Sequence, residues 1–399
     1  MENMEQARTG VTLVGVPVDN VDMSEAVRRI EGFVKDGGFH QIATANVNFL
    51  VNALRYPELQ KVLGSCDMVV ADGMPLLWIS KWMGLPLPER VPGVDMIPHL
   101  ARLSAEHGYG IYLLGSSELS AKTAQTNLER DYPGVKIIGH HCPAWRPLDD
   151  MDDDVILAKI AEAKPDILLV GFGNPKQELW LARHRHAINV PVCIGVGGSM
   201  DMLAGVVHRS PVKWQKMGLE WMFRMLQEPR RLARRYLADF FGLVGPLTRQ
   251  VLALQMQAGR RGLSKMDLSY HRGATVAHLR GGLTAMDCAA IADLGEVATR
   301  AGQQLLLDLS GVTYVGPDAL QRLIRIAFAL REGGSALWLT SAKPSVGRVL
   351  RASRVTGLIR IAADREQALE TIAVENGAER YDERNVLPTL HAETLLSHG

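Results

Sequence analysis

At 399 residues the chain is longer than one ordinary hydrophobic core and implies two domains. Apolar content of 47% and charged content of 22% exclude a disordered chain, and the lack of any run of about 18 uncharged apolar residues argues against a bilayer-spanning helix. The net charge of +1 hides an asymmetry: eleven Lys and Arg between Arg209 and Arg261 face three acids, a local +8 that leaves −7 elsewhere.

Residues 11–200 alternate short β-rich runs with helical patterns. The predicted strands are 12–15, 41–45, 68–71, 110–114, 136–139, 167–171 and 192–196, with helices over 24–35, 47–56, 96–106, 121–132, 155–163 and 177–186. Such alternation, with runs like Ile167-Leu168-Leu169-Val170 buried on both faces, predicts a three-layer, Rossmann-like, mostly parallel α/β sheet. A basic helical appendage follows at 209–261. A smaller α/β unit is expected over 262–376, with strands at 274–279, 304–309 and 335–340 and helices at 287–301, 319–331 and 344–353. The tail 377–399 reads as flexible. Four widely spaced cysteines without a C-x-x-C pair read as free thiols in a reducing compartment. The N-terminus has no apolar core of signal-peptide type.

The chemistry gathers where strands end, because ligands of open α/β sheets bind at the carboxyl ends of strands. Asp72 follows the Met68–Ala71 run and is either a general base with a raised pKa or the N-cap of a helix over 73–82. Thr44 and Asn46 end a neighbouring strand and can hydrogen-bond sugar hydroxyls, and Arg90 can meet a phosphate. Asp95 reads equally as a helix cap or a contact. Gly171 and Gly173 let backbone approach a ligand, and the helix opening at Gln177 offers N–H groups to a diphosphate or a uracil carbonyl. Glu178 there can also be a first-turn charge complementing the helix dipole. Two apparent metal sites are set aside. The acidic run 149–154 contains D-x-D but no strand delivers it to the sheet edge, and His140-His141-Cys142 cannot turn three adjacent donors onto one ion.

These segments, in this order, resemble the WecB/TagA/CpsF family of bacterial glycosyltransferases. Thr44 and Asn46 match its T-x-N segment, and Arg90, Gly93 and Asp95 its E-R-x-x-G-x-D. Residues 171–178 match G-x-G-x-P-K-Q-E, while Arg209-Ser210-Pro211, 218–224 and 228–231 match R-A-P, G-L-E-W-x-x-R and E-P-x-R. The resemblance implies an inverting, metal-independent enzyme without cofactor. Its Asp72 would be the base, and it would move N-acetylmannosamine, its uronate or glucose from a UDP-sugar to a polyprenyl-diphosphate-linked saccharide. Exopolysaccharide or envelope glycan synthesis is the implied setting. Thr44, Asn46, Arg90, Gly171, Gly173 and Gln177 would line the substrates. A non-catalytic sensor of nucleotide sugars is the alternative.

Arg224, Arg231 and Arg234 fall near one helical face at about 100° per residue and could close over a leaving diphosphate. Interleaved Trp221, Phe223, Phe240 and Phe241 make the segment basic and aromatic, the composition of helices lying on anionic membranes. The expected location is cytoplasmic, peripheral on the inner face of the membrane, and no nucleic-acid motif accompanies the charge. Residues 305–315 and 333–339 resemble the STAS fold of anti-sigma-factor antagonists. Asp318 stands where that fold carries a phosphorylatable serine, which implies a protein partner and a surface held in one state.

Overall fold

In the computed structural model the protein is described over residues 10–227, 229–257, 262–271, 273–375 and 387–390. It divides into two compact units, one of residues 18–81 and 86–243, the other of residues 10–17, 82–85 and 244 onward. Two short strands, β1 (Gly10–Leu13) and β2 (Val16–Asp19), pair in place of the single strand expected at 12–15. Val14 and Gly15 turn the chain between them with φ of 44° and 90°, a reversal that strand periodicity does not announce.

The first unit is built on β3 (His40–Ala45), β4 (Met68–Ala71), β5 (Gly110–Gly115), β6 (Lys136–His141), β7 (Ile167–Gly171) and β8 (Val192–Gly195). They form one sheet in the order β4-β3-β8-β7-β5-β6, and every neighbouring pair is parallel. The period of two along each strand decides what lies on each face. Ile111, Leu113, Ile167, Leu169 and Ile194 meet Ile30 and Phe33 of α1 (Met23–Asp36) and Met96, Ile97 and Leu100 of α5 (Gly93–His107). Their neighbours Tyr112, Leu114, Leu168, Val170 and Cys193 meet Ile156 and Ile160 of α7 (Asp153–Ala163) and Trp180 and Leu181 of α8 (Lys176–Arg183). Helices on both faces leave the loops after β3, β4, β5, β7 and β8 along one carboxyl edge.

The helix expected over 47–56 forms as α2 (Val47–Arg55), and past Tyr56 a further helix, α3 (Pro57–Ser65), begins with Pro57 at its first position. Proline suits a helix start because its missing N–H would be unsatisfied there anyway. Then follow α4 (Met74–Trp82), α6 (Glu118–Asp131), α9 (Ser199–Leu203), α10 (Val212–Lys216), α11 (Glu220–Gln227) and α12 (Pro229–Gln255). The last was missed as a candidate span. Over Leu232–Gln255 it is, by length and composition, long and apolar enough to cross a membrane. Arg234, Arg235, Asp239 and Arg249 interrupt it, so it contains no uncharged run of that length.

The second unit has a mixed sheet of β9 (Leu263–His271), β10 (Ala274–Leu283), β11 (Gln304–Val315), β12 (Leu337–Thr340), β13 (Arg360–Ile361) and β14 (Leu387–Leu390). The order is β13-β12-β11-β10-β9-β14, with β9 antiparallel to both its neighbours. One face packs under α13 (Asp287–Arg300), α14 (Pro317–Glu332) and α15 (Pro344–Ala352). On the other, Ala368, Leu369 and Ile372 of α16 (Arg365–Glu375) cover Val276, Leu306 and Trp338. Gln250, wholly buried, accepts from the Val14 N–H at 2.9 Å and donates to the Thr12 carbonyl at 2.7 Å and the Ser353 hydroxyl at 3.1 Å. The unit therefore draws on β1 and the second half of α12, well before residue 262. Of the tail expected to be flexible, β14 adds to the sheet edge and the remainder lies outside the described residues.

Candidate active site

Backbone hydrogen bonds draw the strand-end loops together. Asp72 N–H donates to the Ala45 carbonyl at 2.7 Å, and Val91 N–H to the Ala71 carbonyl at 2.7 Å. A Cβ on Gly93 would lie 3.6 Å from Thr44 Cγ2 and 3.2 Å from Ser199 Oγ. Asp72, Asn46, the Arg90 loop and the turn after β8 thus share one corner of the sheet edge.

Asp72 lies one residue past β4. Among the described residues no hydrogen bond ends on its carboxylate, so it does not serve α4 as an N-cap. Part of its surface reaches solvent, but protein surrounds the group closely. That burial pushes its pKa up to about 8, with Arg224 and Arg90 opposing and Glu220 and Asp95 reinforcing the rise. A carboxyl beside arginines that is largely neutral near pH 7 and ionises as pH rises through about 8 can serve as a general base in mildly alkaline conditions.

Thr44 and Asn46 are tied into the scaffold. The buried Thr44 hydroxyl donates to the Gly195 carbonyl at 2.9 Å. Asn46 caps α2, its Oδ1 accepting from the N–H groups of Asn48 and Phe49 at 3.0 and 3.4 Å. The next turns of α2 carry a polar row: Asn48 donates to Asp239 at 3.1 Å, and Asn52 to Asn174 at 2.7 Å.

The loop after β7 is organised by Gln177. Its Oε1 accepts from the N–H of both Gly173 and Gly197 at 3.1 Å, and its Nε2 donates to Glu178 Oε1 at 2.6 Å. The amide, 1% exposed, therefore staples the β7 loop to the β8 loop. Gly173 adopts φ of 80°, which glycine takes without steric cost. A Cβ at Gly195 would fall 2.5 Å from Gln177 Nε2. Gly171 faces the Gly197 carbonyl, 3.0 Å from where its Cβ would stand. Burial pushes the Glu178 carboxyl up to about 7 against hydrogen bonds from Gln177 and Asn174. Changing Gln177 to Ala orphans two backbone N–H groups. It should cost roughly 1–3 kcal/mol for each one left dry, read as a lower denaturant midpoint at unchanged m-value.

The arginines separate by position. Arg224, on α11, is the strongest cation acting on Asp72. Arg90 Nη1 lies 2.8 Å from Glu220 Oε2. Arg234 is exposed on α12, and the side chain of Arg231 lies outside the described residues. Between α11 and α12 lies residue 228, which is outside the described residues, as is the Arg231 side chain on which the three-arginine face depends.

The segments set aside as metal sites have other partners. In the acidic run, Asp153 accepts from Trp180 Nε1 at 2.7 Å and Asp149 pairs with Arg183 at 2.7 Å, fastening α7 to α8. His140 reaches Glu118 at 3.1 Å, and the Cys142 thiol donates to the Gly115 carbonyl at 3.3 Å. Three polar pairings go beyond what spacing shows, although Glu220 itself falls in the G-L-E-W-x-x-R match. They are Ser116 on Asp201 at 2.6 Å, Asp239 on Asn48, and Glu220 on Arg90. Each joins residues more than 80 positions apart. In the second unit, Asp318 Oδ2 accepts from the Ala285 N–H at 2.9 Å.

Comparison with known proteins agrees with this geometry. Residues 11–257 match the profile of the "Glycosyl transferase WecG/TagA/CpsF family", and residues 266–360 match that of the "Mlab, STAS domain". The chain is 29% identical over 226 residues to the N-acetylglucosaminyldiphosphoundecaprenol N-acetyl-beta-D-mannosaminyltransferase of Staphylococcus aureus strain MW2, covering 56% of this chain and 87% of that protein. The protein of the same name from strain NCTC 8325 / PS 47 matches at the same identity and coverage. Among solved structures, the murine Slc26a9 anion transporter aligns at 13% identity over 50% of this chain and 36% of its own. The TM-score is 0.23, too low to indicate a shared fold.

Proposed function

This chain belongs to the WecG/TagA/CpsF family of glycosyltransferases, and we propose that it transfers a sugar from a UDP-sugar to a polyprenyl-diphosphate-linked saccharide with inversion at the anomeric carbon. The observation that carries the reading is Asp72, a carboxylate at a strand end with its pKa raised to about 8 and Arg224 acting on it. The acceptor hydroxyl loses its proton to Asp72 as its oxygen bonds to the anomeric carbon. On the opposite face the bond to UDP breaks, and Arg224 neutralises charge growing on the diphosphate. Gly173, its N–H held by the Gln177 staple, leaves the β7 loop open to close approach by the nucleotide, while Gly171 lets that loop pack against the Gly197 carbonyl. Arginine cations supply the neutralisation that a divalent metal provides elsewhere, so the reaction runs without one.

The acceptor class follows the relatives, whose name describes N-acetyl-beta-D-mannosaminyl transfer onto N-acetylglucosaminyldiphosphoundecaprenol. UDP-N-acetylmannosamine, its uronate and UDP-glucose are the candidate donors. The enzyme works from the cytoplasmic membrane surface, where such lipids lie. The STAS unit serves a protein partner in one fixed state, since its Asp318 carboxylate is held on a backbone N–H.

The test is a panel of these donors against a polyprenyl-diphosphate-linked N-acetylglucosamine, scored for UDP release and glycolipid product with and without a chelator. One donor should turn over, undiminished by chelation. Donor binding without any product would leave the rival reading, a nucleotide-sugar sensor acting through the STAS unit.

A further inference from the structure

Four side chains from distant parts of the sequence close into a ring next to Asp72. Arg90 Nη1 lies 2.8 Å from Glu220 Oε2, and its Nη2 lies 3.8 Å from Asp95 Oδ2. Arg209 completes the circuit, pairing with Asp95 and placing its Nε 3.8 Å from Glu220 Oε1. All four side chains are between 19% and 30% exposed, so water screens these pairs less than it does ordinary surface ones. Two cations and two anions leave the ring neutral, and Arg224 stands one turn beyond Glu220 on α11.

We propose that this ring is the device that seats α11 on the sheet edge and aims Arg224 at Asp72, with Glu220 as its positioning residue. Arg90 then acts through Glu220 rather than by meeting the diphosphate. A second contact fixes the same joint: Gly218, at φ of 74°, brings backbone against Met74, whose Cγ would lie 2.8 Å from an added Cβ. The backbone leading into α11 is therefore clamped from two sides, by charge through the ring and by shape at Gly218. The catalytic part of this inference rests on the transferase reading. The structural part does not.

The experiment is a charge swap in the full chain. Arg90→Glu and Glu220→Arg, made singly, should each lower kcat/KM by about 10²-fold, the scale of a misplaced catalytic group. The double variant Arg90→Glu/Glu220→Arg restores opposite charges at 90 and 220 but sets an anion against Asp95 and a cation against Arg209, so it should recover at least about tenfold over either single variant without reaching wild type. Hydrogen exchange of the amides at 220–227, measured without substrate, should quicken in each single variant and slow again in the swap. Circular dichroism confirms that every variant is folded. Singles that lose activity with no recovery in the swap would make Arg90 a ligand contact and overturn the proposal. So would exchange that is the same in all four proteins. A wild type that turns over no donor sinks the transferase reading alone, because exchange still decides the ring.

Discussion

Replacing Asp72 with Asn should lower turnover by about 10²-fold or more while UDP binding stays near wild type. The substitution keeps size and polarity, so what it removes is the ability to take a proton. The wild-type pH profile should carry the matching signature. Asp72 is raised from an ordinary carboxylate value to about 8, by burial first and by Glu220 and Asp95 next, against Arg224 and Arg90. At neutral pH most of it is protonated and idle, so the rate should climb as pH rises through about 8 and then level off. The Asn variant should lose this limb. Stability moves the other way. A carboxyl whose folded pKa is raised stabilises the fold relative to its ionised form below the unfolded value near 4, and that contribution is lost as pH rises through about 8. Thermal melts should therefore show the Asn variant gaining over wild type above pH 8 and matching it near pH 4. Equal rates and parallel pH profiles would remove Asp72 from the role of base.

The parallel sheet was legible where residues are apolar on both faces. Met68–Ala71 and Ile167–Gly171 have the bounds their β-branched runs announce. Less legible were elements whose cause lies elsewhere in the chain. β9 alternates weakly and is held by pairing with β10, and α16 is fixed by covering Val276, Leu306 and Trp338. The site divides in the same way. Asp72 stands out because a strand end and a carboxylate are both local features. Its pKa depends on Glu220 and Arg224, about 150 residues later, and no spacing reveals that. Gln177 was legible as part of an unusual string. Its work, holding the N–H groups of Gly173 and Gly197, appears only when two loops are seen together.

Removing three exposed apolar side chains of α12 should detach the enzyme from membranes without touching its chemistry. In the half of α12 belonging to the first unit, Leu232, Asp239 and Leu243 are buried, Asp239 accepting from Asn48. The other half buries Leu247, Gln250 and Ala253. A helix tied along one side in this way cannot present lipid with an apolar surface all round, despite a length sufficient to span. Its opposite side exposes Leu237, Phe240 and Phe241 by 60, 59 and 75%, while Arg230, Arg234 and Arg235 are exposed one to three turns earlier. Apolar bulk beside cations is the pattern of a helix lying in the headgroup layer. Sinking three large apolar side chains contributes roughly 1.5–3 kcal/mol each, and each arginine near an anionic surface adds about 1 kcal/mol. Leu237→Ser, Phe240→Ser and Phe241→Ser together should reduce co-sedimentation with anionic vesicles by about 10³-fold in partition coefficient. Arg230→Gln, Arg234→Gln and Arg235→Gln should weaken it less and abolish its dependence on anionic lipid. Turnover on a water-soluble acceptor analogue should hold for the serine variant, because all three side chains it changes are solvent-exposed. Truncation after Asp201 should lose both activities together, since Arg224 and α12 leave with it. Unchanged sedimentation of the serine variant would mean that the exposed side of α12 is covered by something other than lipid.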